Sequence, residues 1–144
     1  MNIAIVGLGL IGGSMAKAVK AYTEHKVYGF DQSQDVLNAA VNAGAIDSAA
    51  NDALLSDCDL TIICLYPSDS VKFVSDHLSV FKKGSIVMDF CGIKRAICGP
   101  LKQVSKDNGF YFVGAHPMAG THNSGFKYAK GTMYKGAPMV IVPP

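Results

Sequence analysis

The chain has 144 residues, 49% of them hydrophobic and 17% charged, which suits one compact domain able to bury a sizeable core. Its formal net charge of +2, with 13 Lys and Arg scattered along the sequence, argues against a nucleic acid or an anionic membrane surface as partner. No apolar run approaches membrane-spanning length, so small-molecule ligands are expected.

Asn2 to Val6 is a short apolar run rich in β-branched residues, and it stops at Gly7-Leu8-Gly9-Leu10-Ile11-Gly12, which has G-x-G-x-x-G spacing. From Ile11 the apolar positions change period to Ile11, Met15, Ala18/Val19 and Tyr22, as in a helix packing one face on a sheet. The glycines therefore sit between a strand and a helix. In that setting Gly7 permits the tight turn, Gly9 lets the backbone approach a pyrophosphate, and Gly12 lets helix and strand pack closely. The helix N-terminus adds free N–H groups and partial positive charge. A second strand, Lys26 to Phe30, ends in Asp31, about 20 residues past the glycines, where a carboxylate can accept hydrogen bonds from an adenosine ribose. Gln32 and Ser33 follow it rather than an arginine, which favours NAD over NADP. Strand, glycine turn, helix, strand and acid together predict a dinucleotide site. The same apolar start lacks the basic region of a signal peptide, its first Lys or Arg being Lys17.

Further along, Asp35 to Ala43 predicts the return helix of a βαβ unit, closed by Gly44. Asp47 to Asp59 is polar and small, with one helical turn near Ala53 to Leu55. Leu60 to Leu65 is a continuous apolar run of the kind buried on both faces of a parallel sheet, and it leads into Tyr66-Pro67, with Pro67 suited to a first helical turn. That helix carries Val71, Val74, Leu78 and Phe81, and Gly84 ends it. Ser85 to Phe90 predicts another buried strand. Ile93, Ile97, Leu101 and Val104 then recur at helical spacing, with Gly99-Pro100 expected to kink or restart the helix. Tyr111 to Ala115 is a fifth strand, His116 opens a glycine-rich excursion with a helical turn near Phe126 to Lys130, and Ala137 to Val142 is a sixth strand. The whole predicts an α/β Rossmann-type doubly wound parallel sheet of six strands in the order 3-2-1-4-5-6.

The four cysteines, Cys58, Cys64, Cys91 and Cys98, form no C-x-x-C pair, and reduced thiols in a cytoplasmic protein are the simplest account. No metal site is expected. In a sheet of this kind ligands bind outside the carboxyl ends of the strands, here Gly7, Asp31, Leu65-Tyr66-Pro67, Cys91-Gly92 and His116-Pro117.

Two of those ends carry a family likeness. His116-Pro117-Met118-Ala119-Gly120-Thr121, followed by Ser124-Gly125 and later by Gly136-Ala137-Pro138, resembles the prephenate and arogenate dehydrogenases, and the start GLGLIGGSMA is similar to that family's glycine fingerprint. The resemblance implies oxidative decarboxylation of a cyclohexadienol with NAD, prephenate giving 4-hydroxyphenylpyruvate in tyrosine biosynthesis or arogenate reacting in the same way. It also implies that His116 hydrogen-bonds the substrate hydroxyl and helps take its proton, that Thr121 helps hold substrate, and that Lys94 and Gly92 lie at the substrate. Gly92 is a departure, since many relatives have D-x-x-S-x-K where this chain has Asp89-Phe90-Cys91-Gly92-Ile93-Lys94, and that serine sits near the histidine. His122 stands where an acid is common in the family. The resemblance further implies a helical domain, absent from this chain, that dimerises and supplies an arginine, so residues 1–144 are expected to be the cofactor half and inactive alone. Other readings are a different small Rossmann oxidoreductase or a non-catalytic NAD-binding module.

Overall fold

The computed structural model describes residues 1–144. Its strands are β1 (Asn2–Val6), β2 (Lys26–Phe30), β3 (Ser48–Ala49), β4 (Leu60–Ile63), β5 (Ile86–Asp89), β6 (Tyr111–Pro117) and β7 (Met139–Val142), forming one sheet in the order β3-β2-β1-β4-β5-β6-β7. The helices are α1 (Leu10–Tyr22), α2 (Gln34–Asn42), α3 (Asp52–Ser56), α4 (Pro67–Asp76) and α5 (Arg95–Asn108), with a 3-10 turn at Phe126–Tyr128.

Alternation along the central strands builds the two cores. Ala4 and Val6 of β1 join Ile63, Val87 and Phe112 on one face, under Val74 of α4 and Ile97 and Leu101 of α5. Ile3 and Ile5 join Val27 and Ile62 on the other, under Ala16 of α1 and Ala40 of α2. Each of these strands is covered on both sides, which is why they read as unbroken apolar runs rather than as alternating ones. This is the doubly wound α/β sheet that the sequence predicts.

Its strand list needs correction. A seventh strand exists because Ser48–Ala49 pairs in parallel with Tyr28 and Gly29 of β2; two small residues are too short to show a period. The apolar run at Leu60 is consequently the fourth strand, beside β1. The last strand is antiparallel, Val140 lying opposite His116 and Met139 opposite Pro117. No crossover helix follows β6, so the chain returns by an irregular excursion and pairs in the reverse direction. That pairing also extends β6 to Pro117, placing His116 inside a strand rather than in the loop beyond it. Finally, α5 runs unbroken through Pro100. Gly99 before it has no Cβ to clash with the proline ring, which eases the usual break.

Asp47 shows how the edge is tied down. Its carboxylate accepts from the Val27 N–H at 2.8 Å and meets the Lys20 ammonium at 3.0 Å. Partial burial pushes its pKa up, but the Val27 N–H and Lys20 outweigh this, and the net shift is downward. A carboxylate so depressed adds stability above its unfolded pKa of about 3.9, and that stability is lost as pH falls through the folded value. Asp47→Asn should therefore lower the urea midpoint at pH 7, and the difference from wild type should shrink toward pH 2 as acid protonates the wild-type carboxylate. An undiminished difference at pH 2 would assign the effect to packing.

Candidate functional site

The glycine turn is held from both sides. The Gly7 N–H donates to the Phe30 carbonyl at 2.8 Å, the Leu8 N–H to Asp31 Oδ2 at 2.9 Å, and the Ser33 N–H to Asp31 Oδ1 at 2.9 Å. Asp31 thus fixes the turn while each oxygen keeps a lone pair for a further donor. Gly7 adopts φ +84°, a left-handed conformation, and Gly12 packs so closely that an added Cβ would lie 1.8 Å from the Gly7 carbonyl oxygen. Gly9 is different: a Cβ there would meet nothing within 4 Å. It caps α1, whose first turn has no acidic residue and no side-chain cap, so its N–H groups are available to an anion. Open space over Gly9, free N–H groups and a carboxylate beside them at Asp31 fit a dinucleotide.

A cavity of about 510 Å³ lies over this turn, lined among others by Gly7, Gly9, Leu10, Ile11, Asp31, Leu65, Tyr66 and Thr121. A second, of about 390 Å³, shares Gly7, Asp31 and Leu65 and is walled by Phe30 and Phe73. Leu8 and Gly12 line neither: the Leu8 side chain is fully buried in the core, and it acts at the site through its N–H. Pro67 is the first residue of α4, with the exposed Tyr66 as its cap.

The other predicted residues gather at the carboxyl ends of β5 and β6. The His116 ring lies beside Gly92, where an added Cβ would be 3.5 Å from Cε1 and 3.9 Å from Nδ1. His116 Nδ1 is buried without a hydrogen-bond partner. Lys94, at the start of α5, directs its Nζ away from any open role: it meets Asp89 Oδ2 at 2.5 Å and donates to the Ala115 carbonyl. Thr121 Oγ1 accepts from the Asn123 N–H at 3.2 Å, a local turn bond, while the residue faces the larger cavity.

Several participants escaped sequence reasoning. Asp89, fully buried, is the partner of Lys94 and also accepts from the Cys91 N–H. A buried acid just before a loop is visible in the sequence, but its partner is not. Gly120, Asn123 and Ser124 of the irregular excursion wall the cavity as well. That segment is fastened to α1 by Tyr134 Oη donating to the Ile11 carbonyl at 2.7 Å, Lys17 Nζ to Ala129 at 2.8 Å, and the Lys130 N–H to Ser14 Oγ at 2.9 Å. The cysteines offer no nucleophile. Burial raises the pKa of Cys91, whose thiol donates to the Leu65 carbonyl at 2.9 Å, and pushes Cys58 up to about 11.

Comparison with known proteins agrees with this geometry. The family model for the prephenate dehydrogenase nucleotide-binding domain matches residues 15–144. Prephenate dehydrogenase of Bacillus subtilis is 32% identical over 147 residues, spanning 99% of this chain and 39% of that protein. Among solved structures, arogenate dehydrogenase of Synechocystis superposes with a TM-score of 0.92 at 29% identity, over 100% of this chain and 50% of that one. Prephenate dehydrogenase of Aquifex aeolicus, in complex with hydroxyphenyl propionate and NAD+, gives 0.86 at 29% identity, over 100% and 51%. The chain therefore spans between 39% and 51% of the length of these relatives.

Proposed function

Because the chain belongs to the prephenate dehydrogenase family, by way of that family's nucleotide-binding domain, we propose that it binds NAD and forms the cofactor half of an enzyme that oxidatively decarboxylates prephenate. The observation that carries this reading is the meeting of a glycine turn with open space over Gly9 and a cavity whose far wall comes from the segment directly after His116. The pyrophosphate is held by the N–H groups of Gly9, Leu10 and Ile11, and the adenosine ribose by Asp31. Leu65 and Tyr66 flank the cofactor. When bound, the nicotinamide supplies the hydride acceptor.

The protein's own work is orientation and proton removal. His116 takes the proton of the substrate hydroxyl, so that the ring carbon bearing it becomes a carbonyl as hydride leaves; loss of carbon dioxide and enolisation then restore the aromatic ring. Thr121 holds substrate across the cavity from Gly9. Residues 1–144 alone bind cofactor without turning over, the second wall of the substrate site belonging to the remainder of the enzyme.

Two measurements test this. NAD should bind the chain at least about tenfold more tightly than NADP, because a 2′-phosphate would lie against Asp31; equal or tighter NADP binding overturns the role of Asp31. Turnover by the full-length enzyme, assayed with prephenate and arogenate side by side, should favour prephenate. Arogenate as the better substrate would replace it, and no turnover of either would leave a cofactor-binding module.

A further inference from the structure

The cation at Lys94 has no obvious use in holding a cofactor, yet it stands in the most buried ionic arrangement of the molecule. Asp89 is fully buried and the Lys94 side chain is 18% exposed, with Nζ 2.5 Å from Asp89 Oδ2. The same Nζ donates to the Ala115 carbonyl, which belongs to the peptide unit that begins His116. Asp89 pairs with Gly114 across β5 and β6, so in this parallel register Asp89, Gly114 and His116 project from one face of the sheet. An added Cβ at Gly114 would lie 3.2 Å from the Lys94 Cδ, so the lysine stem lies across the strand just before the histidine. The pair therefore ties three things together: the end of β5, the start of α5, and the backbone that carries His116.

We propose that Asp89 and Lys94 act as one positioning pair for His116, the lysine fixing its peptide and the two opposite charges cancelling at the imidazole. This rests on the reading of His116 as the proton acceptor. It assigns Lys94 to the histidine rather than to the substrate. A neutral pair suits a base that must stay unprotonated: a lone carboxylate on this face would favour the imidazolium, and a lone ammonium would oppose it. The other groups at this end of β6 add no charge. Across β7 stands Val140, and the neighbouring Cys91 and Cys98 thiols are raised in pKa by burial and stay protonated.

The test is an NMR titration of the His116 ring in the 144-residue chain, which needs neither substrate nor cofactor. Asp89→Asn, which leaves the cation, should move the titration midpoint down by about half a unit or more. Lys94→Met, which leaves the carboxylate, should move it up. The double variant should return close to wild type, and Lys94→Arg, which keeps the charge, should stay there. Opposite shifts that cancel are the signature of charge, since mere loosening of the fold would not reverse sign between the two variants. Lys94→Met strands a buried carboxylate and risks unfolding; Asp89→Asn and the double variant then decide. An unmoved midpoint in Asp89→Asn overturns the pair. So does a full-length Lys94→Met enzyme that raises KM at unchanged kcat, because that places the lysine on substrate. Should His116→Asn prove fully active, the reading of His116 as base fails, while the titration still reports on the pair.

Discussion

Gly9→Ala should leave the fold intact and weaken NAD binding by about tenfold or more, whereas Gly12→Ala should lose both. The two substitutions add the same methyl group three residues apart, and the structure separates their consequences. At Gly9 the new Cβ meets no atom within 4 Å. No neighbouring atom crowds it, so the thermal midpoint should move far less than in Gly12→Ala. The methyl does, however, enter the space above the helix N-terminus where an anion must approach the N–H groups, and each tenfold loss in affinity is about 1.4 kcal/mol. At Gly12 the new Cβ would stand 1.8 Å from the Gly7 carbonyl oxygen and 3.2 Å from the Cys64 Cβ. Backbone cannot rotate aside as a side chain does, so the cost should exceed the roughly 1–3 kcal/mol of ordinary overpacking, a large share of the total stability of a domain. Thermal melts and NAD titrations of both variants check this. Wild-type affinity in Gly9→Ala would remove the pyrophosphate from this turn, and an unshifted midpoint in Gly12→Ala would mean that helix and strand are not in contact as described.

The glycine turn between β1 and α1 was legible because its geometry is local. Gly7 to Gly12 and Asp31 are fixed by one βαβ unit, and the same short-range requirements that close the turn also mark it in the sequence. The doubly wound sheet was legible for a related reason, since strands buried on both faces must be apolar throughout. What escaped was set by pairing between distant segments. Ser48–Ala49 is a strand only because the edge of β2 offers it hydrogen bonds. His116 lies in a strand only because Met139–Val142 folds back on it, antiparallel, from more than twenty residues away. The bond between Lys94 and Asp89 joins residues five apart, but neither residue type reveals that the ammonium turns inward to the Ala115 carbonyl instead of outward to a ligand. The irregular excursion after β6 shows no period because side-chain bonds to α1, from Tyr134 and Lys17, shape it rather than a repeating backbone ladder.

His116→Asn in the full-length enzyme should cut kcat by on the order of 10²–10⁴ while leaving NAD affinity near wild type, the loss typical of a positioned general base. Asparagine is close in size and can still hydrogen-bond a hydroxyl, but it cannot take its proton, so the comparison isolates proton removal from binding. The surroundings make the substitution conservative. A Cβ added at Gly92 would only just reach contact distance of the ring, so nothing crowds it from that side, and its buried Nδ1 has no partner, so replacement breaks no hydrogen bond within the protein. Cofactor affinity should hold because the proposed pyrophosphate and adenosine contacts, Gly7 to Gly12 and Asp31, directly follow β1 and β2, away from β6. The pH–rate profile sharpens the test. With histidine as the base, rate should fall at acid pH as the imidazole is protonated and can no longer accept. In the asparagine variant that acid limb should vanish, leaving a slow rate that tracks hydroxide or water as acceptor. Retention of near wild-type kcat with the same acid limb would make His116 a strand residue of no catalytic consequence and transfer proton removal to another group.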